Sequence, residues 1–383
     1  MATTRIRRHR KRKTADAIGR LPVAKPVDRL RLAFGRSAAG GAKALRELRA
    51  NLSGIEIAGD TVFVASDEGT SLDVLTRTGR GQVYAQHRRF PLARSFALKQ
   101  TGKNTEADLE GISRDGARLW LLGSHCRIRK PDPDKAAKKG EDLDACEILS
   151  RRKTRNRHLL GCLDLDDPPD DPQAGFRPRA SARLPFTDDG NTLIELLAAA
   201  DPQLAPFLDL PAKENGFDLE GLAVRGDRVF VGLRGPVIAG RSLVLELGVA
   251  IHRTARRIDL VPVAGVPFAK HALPLQGLGI RDLAFRGDRL LVLAAPTMPL
   301  DGVAAVFEWD AHRRDPRGGI VAETRCRPLL RLPGGDGHGY PEGISYLPDA
   351  DTIAVVVDNP EPARLRDRSG IMVDVFALPS RRR

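Results

Sequence analysis

Five segments of the chain follow one pattern. LSGIEIAGDTVFVASDEG begins at Leu52, DLEGISRDGARLWLLGSHC at Asp108 and DLEGLAVRGDRVFVGLRGP at Asp218. GIRDLAFRGDRLLVLAAPT begins at Gly279 and YPEGISYLPDADTIAVVVDNP at Tyr340. Each reads as a short apolar strand, a tight turn rich in Gly and Asp, and a second apolar strand. That is a hairpin signature.

The anchors Gly54, Gly111, Gly221, Leu283 and Gly343 are separated by about 57, 110, 62 and 60 residues. Some 60 residues hold four strands with their loops. Further apolar stretches follow each hairpin, at Ser71–Leu75, His158–Leu165, Ser242–Ala250, Val303–Trp309 and Ile371–Leu378. Four-stranded units repeated around an axis make a β-propeller, with the first strand of each unit innermost. The expected fold is therefore all-β, a propeller of five four-stranded blades. The doubled interval admits a degenerate sixth. It also contains a charged insertion at about 127–157 and a helix-compatible stretch at about 190–208, capped by Asn191. Arg29–Phe34 is placed to close the ring as the outer strand of the last blade. A β-sandwich ranks second, because it needs no 60-residue repeat.

The net charge is +13, but ten cations lie at the two ends. The expected organisation is a disordered basic tail over 1–27, one propeller over 28–379 and a basic tail over 380–383. A basic tail is chiefly a solubilising segment, with weak sequence-blind attraction to nucleic acid as its alternative use. No leader-like or membrane-spanning apolar run is visible, so a soluble, cytoplasmic protein is expected. Cys126, Cys146, Cys162 and Cys326 show no zinc spacing and are expected to be free thiols.

The first and second strands of a hairpin are antiparallel. The start of one and the end of the other therefore meet on one face. That gathers Ser53, Glu110, Glu220, Asp282 and Glu342 with Asp67, Glu68, Ser124, His125, Arg234, Thr297, Asp358 and Asn359 at one mouth of the channel. Gly has a structural reason to be there, since inner strands crowd the axis. Converging carboxylates repel unless something positive lies between them. Three readings follow. The glutamates fasten blade to blade, they hold a metal or ligand, or a pair of them is catalytic. Glu110, Glu220, Asp282 and Glu342 are the candidate metal ligands, with Ca²⁺ as the candidate ion. His125, Arg234 and Arg281 are the candidate ligand-binding residues, and Glu110 and Glu220 the candidate catalytic carboxylates. His271 reads as a surface residue, and His338 as part of a lid or of an ordinary turn. No phosphate-binding loop, nucleophile elbow or zinc motif occurs.

The ordered series DLEG at Asp108–Gly111, GSHC at Gly123–Cys126, DLEGLA at Asp218–Ala223, GLRGPV at Gly232–Val237, GIRDLA at Gly279–Ala284 and PEGI at Pro341–Ile344 resembles the bacterial "domain of unknown function 3616" family. The likeness runs from about Asp28 and omits the basic tail. A looser similarity to phytase-like esterase propellers and calcium-dependent propeller hydrolases implies a channel-mouth metal and phosphate- or ester-cleaving chemistry. Ser53 and Arg281-Asp282 depart from a uniform acidic ring and favour one metal, or an arginine-gated anion site.

The leading expectation is a propeller binding a small anionic or polar ligand at its mouth, with or without Ca²⁺. A metal-dependent ester or phosphate hydrolase, with one Glu as base, is the alternative. A protein-interaction scaffold is the third.

Overall fold

The computed structural model describes residues 17–79, 81–165, 178–188, 190–298, 302–335, 338–365 and 368–380. Most of the basic tail and the last three arginines lie outside the described residues.

All five hairpins form. Unit one pairs Leu52–Ala58, Thr61–Ser66, Ser71–Arg77 and Val83–Pro91 in order. Unit two pairs Leu109–Asp115, Arg118–Gly123, Leu160–Asp164 and Ala180–Arg183. In unit three, Asp218–Arg225 and Arg228–Gly235 lead to the long strand Ser242–His252. The free edge of that strand is covered by two pieces, Arg257–Val261 and Ala269–Leu273. Unit four runs Gly279–Arg286, Arg289–Ala295, Ala304–Trp309 and Cys326–Leu332. Unit five runs Tyr340–Leu347, Thr352–Asp358 and Gly370–Ala377. Asp28–Ala33 then adds antiparallel to Gly370–Ala377, so the N-terminal strand completes the C-terminal unit.

Local chemistry explains the hairpins. Four of the five turns are two-residue loops led by Gly59, Gly116, Gly226 or Gly287, with φ between 55° and 62°. Only glycine adopts that conformation without penalty, and it matches the strand twist. The alternating apolar residues then bury between neighbouring units. Leu222, Val224, Val229 and Val231 join one core with Trp120 and Leu122. Ile344 and Val355 join another with Leu291 and Leu293.

The first strands touch in a closed cycle. Leu52–Ala58 meets Leu109–Asp115, which meets Asp218–Arg225, then Gly279–Arg286, then Tyr340–Leu347, which returns to Leu52–Ala58. The fold is all-β and β-propeller-like. Between Ala180–Arg183 and Asp218, the described residues hold only a two-residue strand pair, 3-10 turns and the helix Thr192–Ala200. Asn191 caps that helix, accepting from Leu193 N (3.1 Å) and Ile194 N (3.2 Å). Packed chain begins earlier than the expected tail boundary at 27. Ile18 is buried, and Ala24 N–H donates to the Arg331 carbonyl at 2.7 Å. The reason is that the short apolar residues of this segment have a core to join beside unit four. Among the described residues no helix is long and apolar enough to cross a membrane.

The glycine after each inner glutamate is set by close approach. A Cβ on Gly111 would lie 2.6 Å from Leu222 Cβ and 3.1 Å from the Glu220 carbonyl. At Gly54 the nearest atoms are at 3.4 Å. Gly111→Ala is therefore expected to cost about 1–3 kcal/mol by overpacking, and Gly54→Ala clearly less. Urea denaturation of the two variants checks this, and equal losses would contradict it.

Candidate functional site

Every inner strand carries a register shift near its start, and the extra residue is Ser53, Glu110, Glu220, Arg281 or Glu342. A bulge turns one side chain out of the ladder and re-aims it. This answers why a glutamate precedes glycine in a strand that otherwise reads as core. The bulge aims the glutamate at the axis, and the glycine lets the next strand close in.

The register also changes one assignment. Arg281, not Asp282, occupies the glutamate position of unit four, and Asp282 occupies the glycine position. Asp282 is 1% exposed and turns away from the ring. Its Oδ1 accepts from Leu283 N at 2.7 Å and its Oδ2 from Ile344 N at 2.8 Å. It ties unit four to unit five and is not gathered with Glu110, Glu220 and Glu342. Burial holds its carboxyl well above the usual range despite these amides.

The ring is a chain of alternating charge. Asp218 pairs with Arg234 at 2.5 Å, and Arg234 reaches Glu220 at 3.0 Å. Glu220 accepts Arg281 at 2.7 and 2.8 Å, and Arg281 reaches Glu342 at 3.1 Å. Nearby, Arg157 donates to Asp108. Glu220, expected as a hydrolytic base, is thus clamped by two guanidiniums and 2% exposed. Glu110 has neither an ion pair nor a hydrogen bond to its carboxylate among the described residues. Asp67 Oδ1 is buried without a partner, as are the Nε atoms of Arg234 and Arg281.

Seven carboxylates, Asp67, Asp108, Glu110, Asp218, Glu220, Glu342 and Asp358, share the inner ring with the guanidiniums of Arg157, Arg234 and Arg281, while the roof cations Arg127, Arg129 and Lys213 are paired with Asp209, Glu214 and Asp132, and Lys130 also lines the adjoining cavity. The surplus shows in proton affinity. Burial, followed by the charges of Asp108, Glu220, Asp218 and Asp67, holds Glu110 well above the usual range. Burial, with Asp108 and Asp358 next, pushes Asp67 up to about 7. Burial lifts Asp218 to about 7 against the pull of Arg234, and Glu342 to about 8 against Arg281.

A cavity of about 300 Å³ lies against Asp67, Asp108, Glu110, Asp218 and Arg234. A second, of about 200 Å³, lies against Arg234, Arg281, Glu342 and Asp358. Lys213 lines both, and the insertion roofs the first through Arg129–Glu214 (2.5 Å) and Lys213–Asp132 (3.0 Å). Among the described residues no three His, Cys, Asp or Glu side chains converge closely enough to hold a metal ion. The residues do not fit a resident calcium cage of six to eight oxygens.

His125 does not join the ring. It is 1% exposed, its Nδ1 bonds the Gly123 carbonyl at 2.7 Å, and its Nε2 bonds Asn191 Nδ2 at 2.8 Å. Burial pushes it down to about 4, so it is a neutral anchor between unit two and the capped helix. The four cysteines are buried and unpaired.

Sequence reasoning missed Asp108 and Asp218, although the acid two places before Glu in DLEG was in view. It also missed Arg157, which arrives from the insertion. A second repeated set escaped it altogether. Each third strand carries one carboxylate, Asp73, Asp164, Glu246, Glu308 or Asp374, held by cations. The signal was an acid amid apolar residues in SLDVL, GCLDL, LVLEL, AVFEW and VDVFA.

The fold and site define an all-β, β-propeller-like protein with a charged ring at the mouth of its axis. The chain belongs to the family described as Protein of unknown function (DUF3616), whose pattern matches residues 51–374. No curated protein matches the sequence. Among solved structures it is similar to Myxococcus xanthus glutaminyl cyclase, at 10% identity over 94% of this chain and 98% of that one, with a TM-score of 0.41. It is also similar to virginiamycin B lyase from Staphylococcus aureus (9% identity, 92% and 75% of the chains, TM-score 0.29). A third likeness is to the Malassezia sympodialis allergen Mala s 1 (8% identity, 86% and 93%, TM-score 0.38).

Proposed function

We propose that this protein is a five-bladed propeller whose channel mouth binds a small polar ligand carrying positive charge. The closed cycle of five first strands supports the blade number. The observation that carries the ligand reading is the carboxylate surplus, with Glu110 unpaired and Asp67 Oδ1 unsatisfied against one cavity. Arg234 and Arg281 are occupied by acids of the ring and act first as its neutralisers. The charge is brought either by an organic ammonium group or by a divalent ion that completes its shell with water or ligand oxygens.

Thermal melting of the purified protein with Ca²⁺, Mg²⁺ and a panel of small amines separates these sources. Binding to the native state raises the midpoint with ligand concentration. A concentration-dependent rise with one class of cation, lost in Glu110→Gln and in Asp67→Asn, is the expected result. A panel without any rise, or a rise kept by both variants, removes the reading.

A further inference from the structure

A third cavity, of a different character, lies at the rim, between units three and four. The third-strand carboxylates explain how it arises. In unit one, Asp73 is held by Arg89 (2.9 and 3.1 Å) and by His87 Nε2 at 2.5 Å. The other nitrogen, His87 Nδ1, receives the Gly35 N–H at 3.1 Å. Both ring nitrogens are then satisfied.

Unit three repeats the first half of this arrangement. Glu246 is fully buried and takes Arg314 through both oxygens at 2.6 Å. His271 Nε2 lies 3.1 Å from Glu246 Oε2. His271 is itself buried, against the expectation of a surface residue, because Trp309 packs on it with ring centroids 4.9 Å apart. Its Nδ1 has no donor among the described residues. A carboxylate accepting the Nε2 proton selects the tautomer whose lone pair sits on Nδ1. The nitrogen that unit one supplies with a backbone amide is here left to a cavity of about 290 Å³, lined by His271, Trp309, Arg313, Arg314 and Arg325. Glu246 consumes the charge of Arg314. Asp315, the one acid in the lining, accepts the Arg317 N–H at 2.9 Å. Arg313, whose Nε lies 3.9 Å from Asp310 Oδ2, and Arg325, which donates to the Arg313 carbonyl, give the remaining wall its positive charge.

The geometry points to a second ligand site, for a small oxyanion that also carries a hydroxyl donor: a phosphate or phosphomonoester in its monohydrogen form. The O–H donates to His271 Nδ1, and the charged oxygens face the guanidiniums of Arg313 and Arg325. A protonated phosphate meets both demands. Sulfate, which has no proton near neutral pH, meets only one, so the site should tell them apart. This inference is independent of the channel mouth.

The test is calorimetric titration of the full chain with inorganic phosphate near pH 7, and with sulfate at matched ionic strength. Resonances of ¹⁵N-labelled histidine are followed in parallel. Expected are saturable phosphate binding, a shift of the His271 Nδ1 resonance, and sulfate weaker by about tenfold or more, the scale of one charge-assisted hydrogen bond. Arg313→Ala/Arg325→Ala should lose phosphate binding, since both side chains act at the wall and outside the core. Glu110→Gln should keep it. Absent binding, equal binding of sulfate, or unchanged binding in the double arginine variant would each overturn the assignment.

Discussion

Glu220→Gln is expected to destabilise the folded protein by about 3 kcal/mol, while Glu110→Gln, one position round the same ring, stabilises it. The two glutamates occupy equivalent bulges and differ only in partners. Glu220 is the shared acceptor of Arg234 and Arg281, both well enclosed. Breaking a buried ion pair on one side typically costs about 3–5 kcal/mol, because the remaining charge keeps its desolvation penalty. Arg234 retains Asp218 and Arg281 retains Glu342, which places the loss at the low end of that range. Glu110 has no ion pair to lose, only a more distant pull from Arg234. Burial and the charges of Asp108, Glu220, Asp218 and Asp67 make Glu110 hold a proton that its unfolded counterpart releases, and a neutral amide removes that cost, by about 1 kcal/mol or more at pH 7. Urea titrations without added divalent ions read both values. Opposite signs are the prediction. A loss in both variants would mean that Glu110 has a structural partner, and no change in Glu220→Gln would dissolve the network.

The hairpins were legible because glycine turns and alternating apolar residues are local properties of the chain. So was the mouth, since antiparallel pairing alone brings the start of one strand to the end of the next. Glu110, Glu220, Glu342 and Arg234 were placed together for that reason. The error at Asp282 came from aligning by chemical type, where the bulge counts residues. One extra residue in the strand put Arg281 at the axis and sent Asp282 to the amide of Ile344. His125 misled for a similar reason. It stands at the right end of its strand, but its φ of 57° turns it inward to Asn191, a contact 66 residues distant that no local pattern displays. Arg157 and the third-strand carboxylates depend on pairings of this long-range kind. Local chemistry therefore specified the frame and the face. Which acids remain unpaired followed only from the packing of units against one another.

Buried acids with raised proton affinity should reverse the usual response of a protein to alkali. Stability is expected to fall as pH rises from 7 to 9. Glu342 titrates near 8 in the folded chain, Glu56 is likewise pushed up to about 8 by burial, and Glu110 is held well above the usual range. Unfolded, all three lose their protons near the ordinary carboxylate values of about 4.3. Between those limits the folded state holds protons that the unfolded state has released. Raising the pH strips them from the folded state, at a cost of up to about 1.4 kcal/mol per pH unit for each proton retained. The buried thiols of Cys126 and Cys162, pushed up to about 12, act in the same direction above about pH 8.5, where unfolded thiols ionise. His125 and His158 oppose the trend only below 7. Burial holds both neutral, while their unfolded counterparts take up protons near 6.5. Three retained carboxyl protons outweigh two histidines, so the slope keeps its sign down to the range where unfolded carboxylates protonate, and maximum stability is expected on the acid side, at about pH 5. Urea midpoints at pH 7, 8 and 9 test the slope. Glu110→Gln isolates the carboxylate share, because it removes one retained proton and leaves the thiols untouched. A shallower fall in that variant places the retained proton at the mouth. A slope equal to that of the unaltered protein would assign the fall to the thiols and Glu56, and would mean that Glu110 is ionised at neutral pH with its charge already matched.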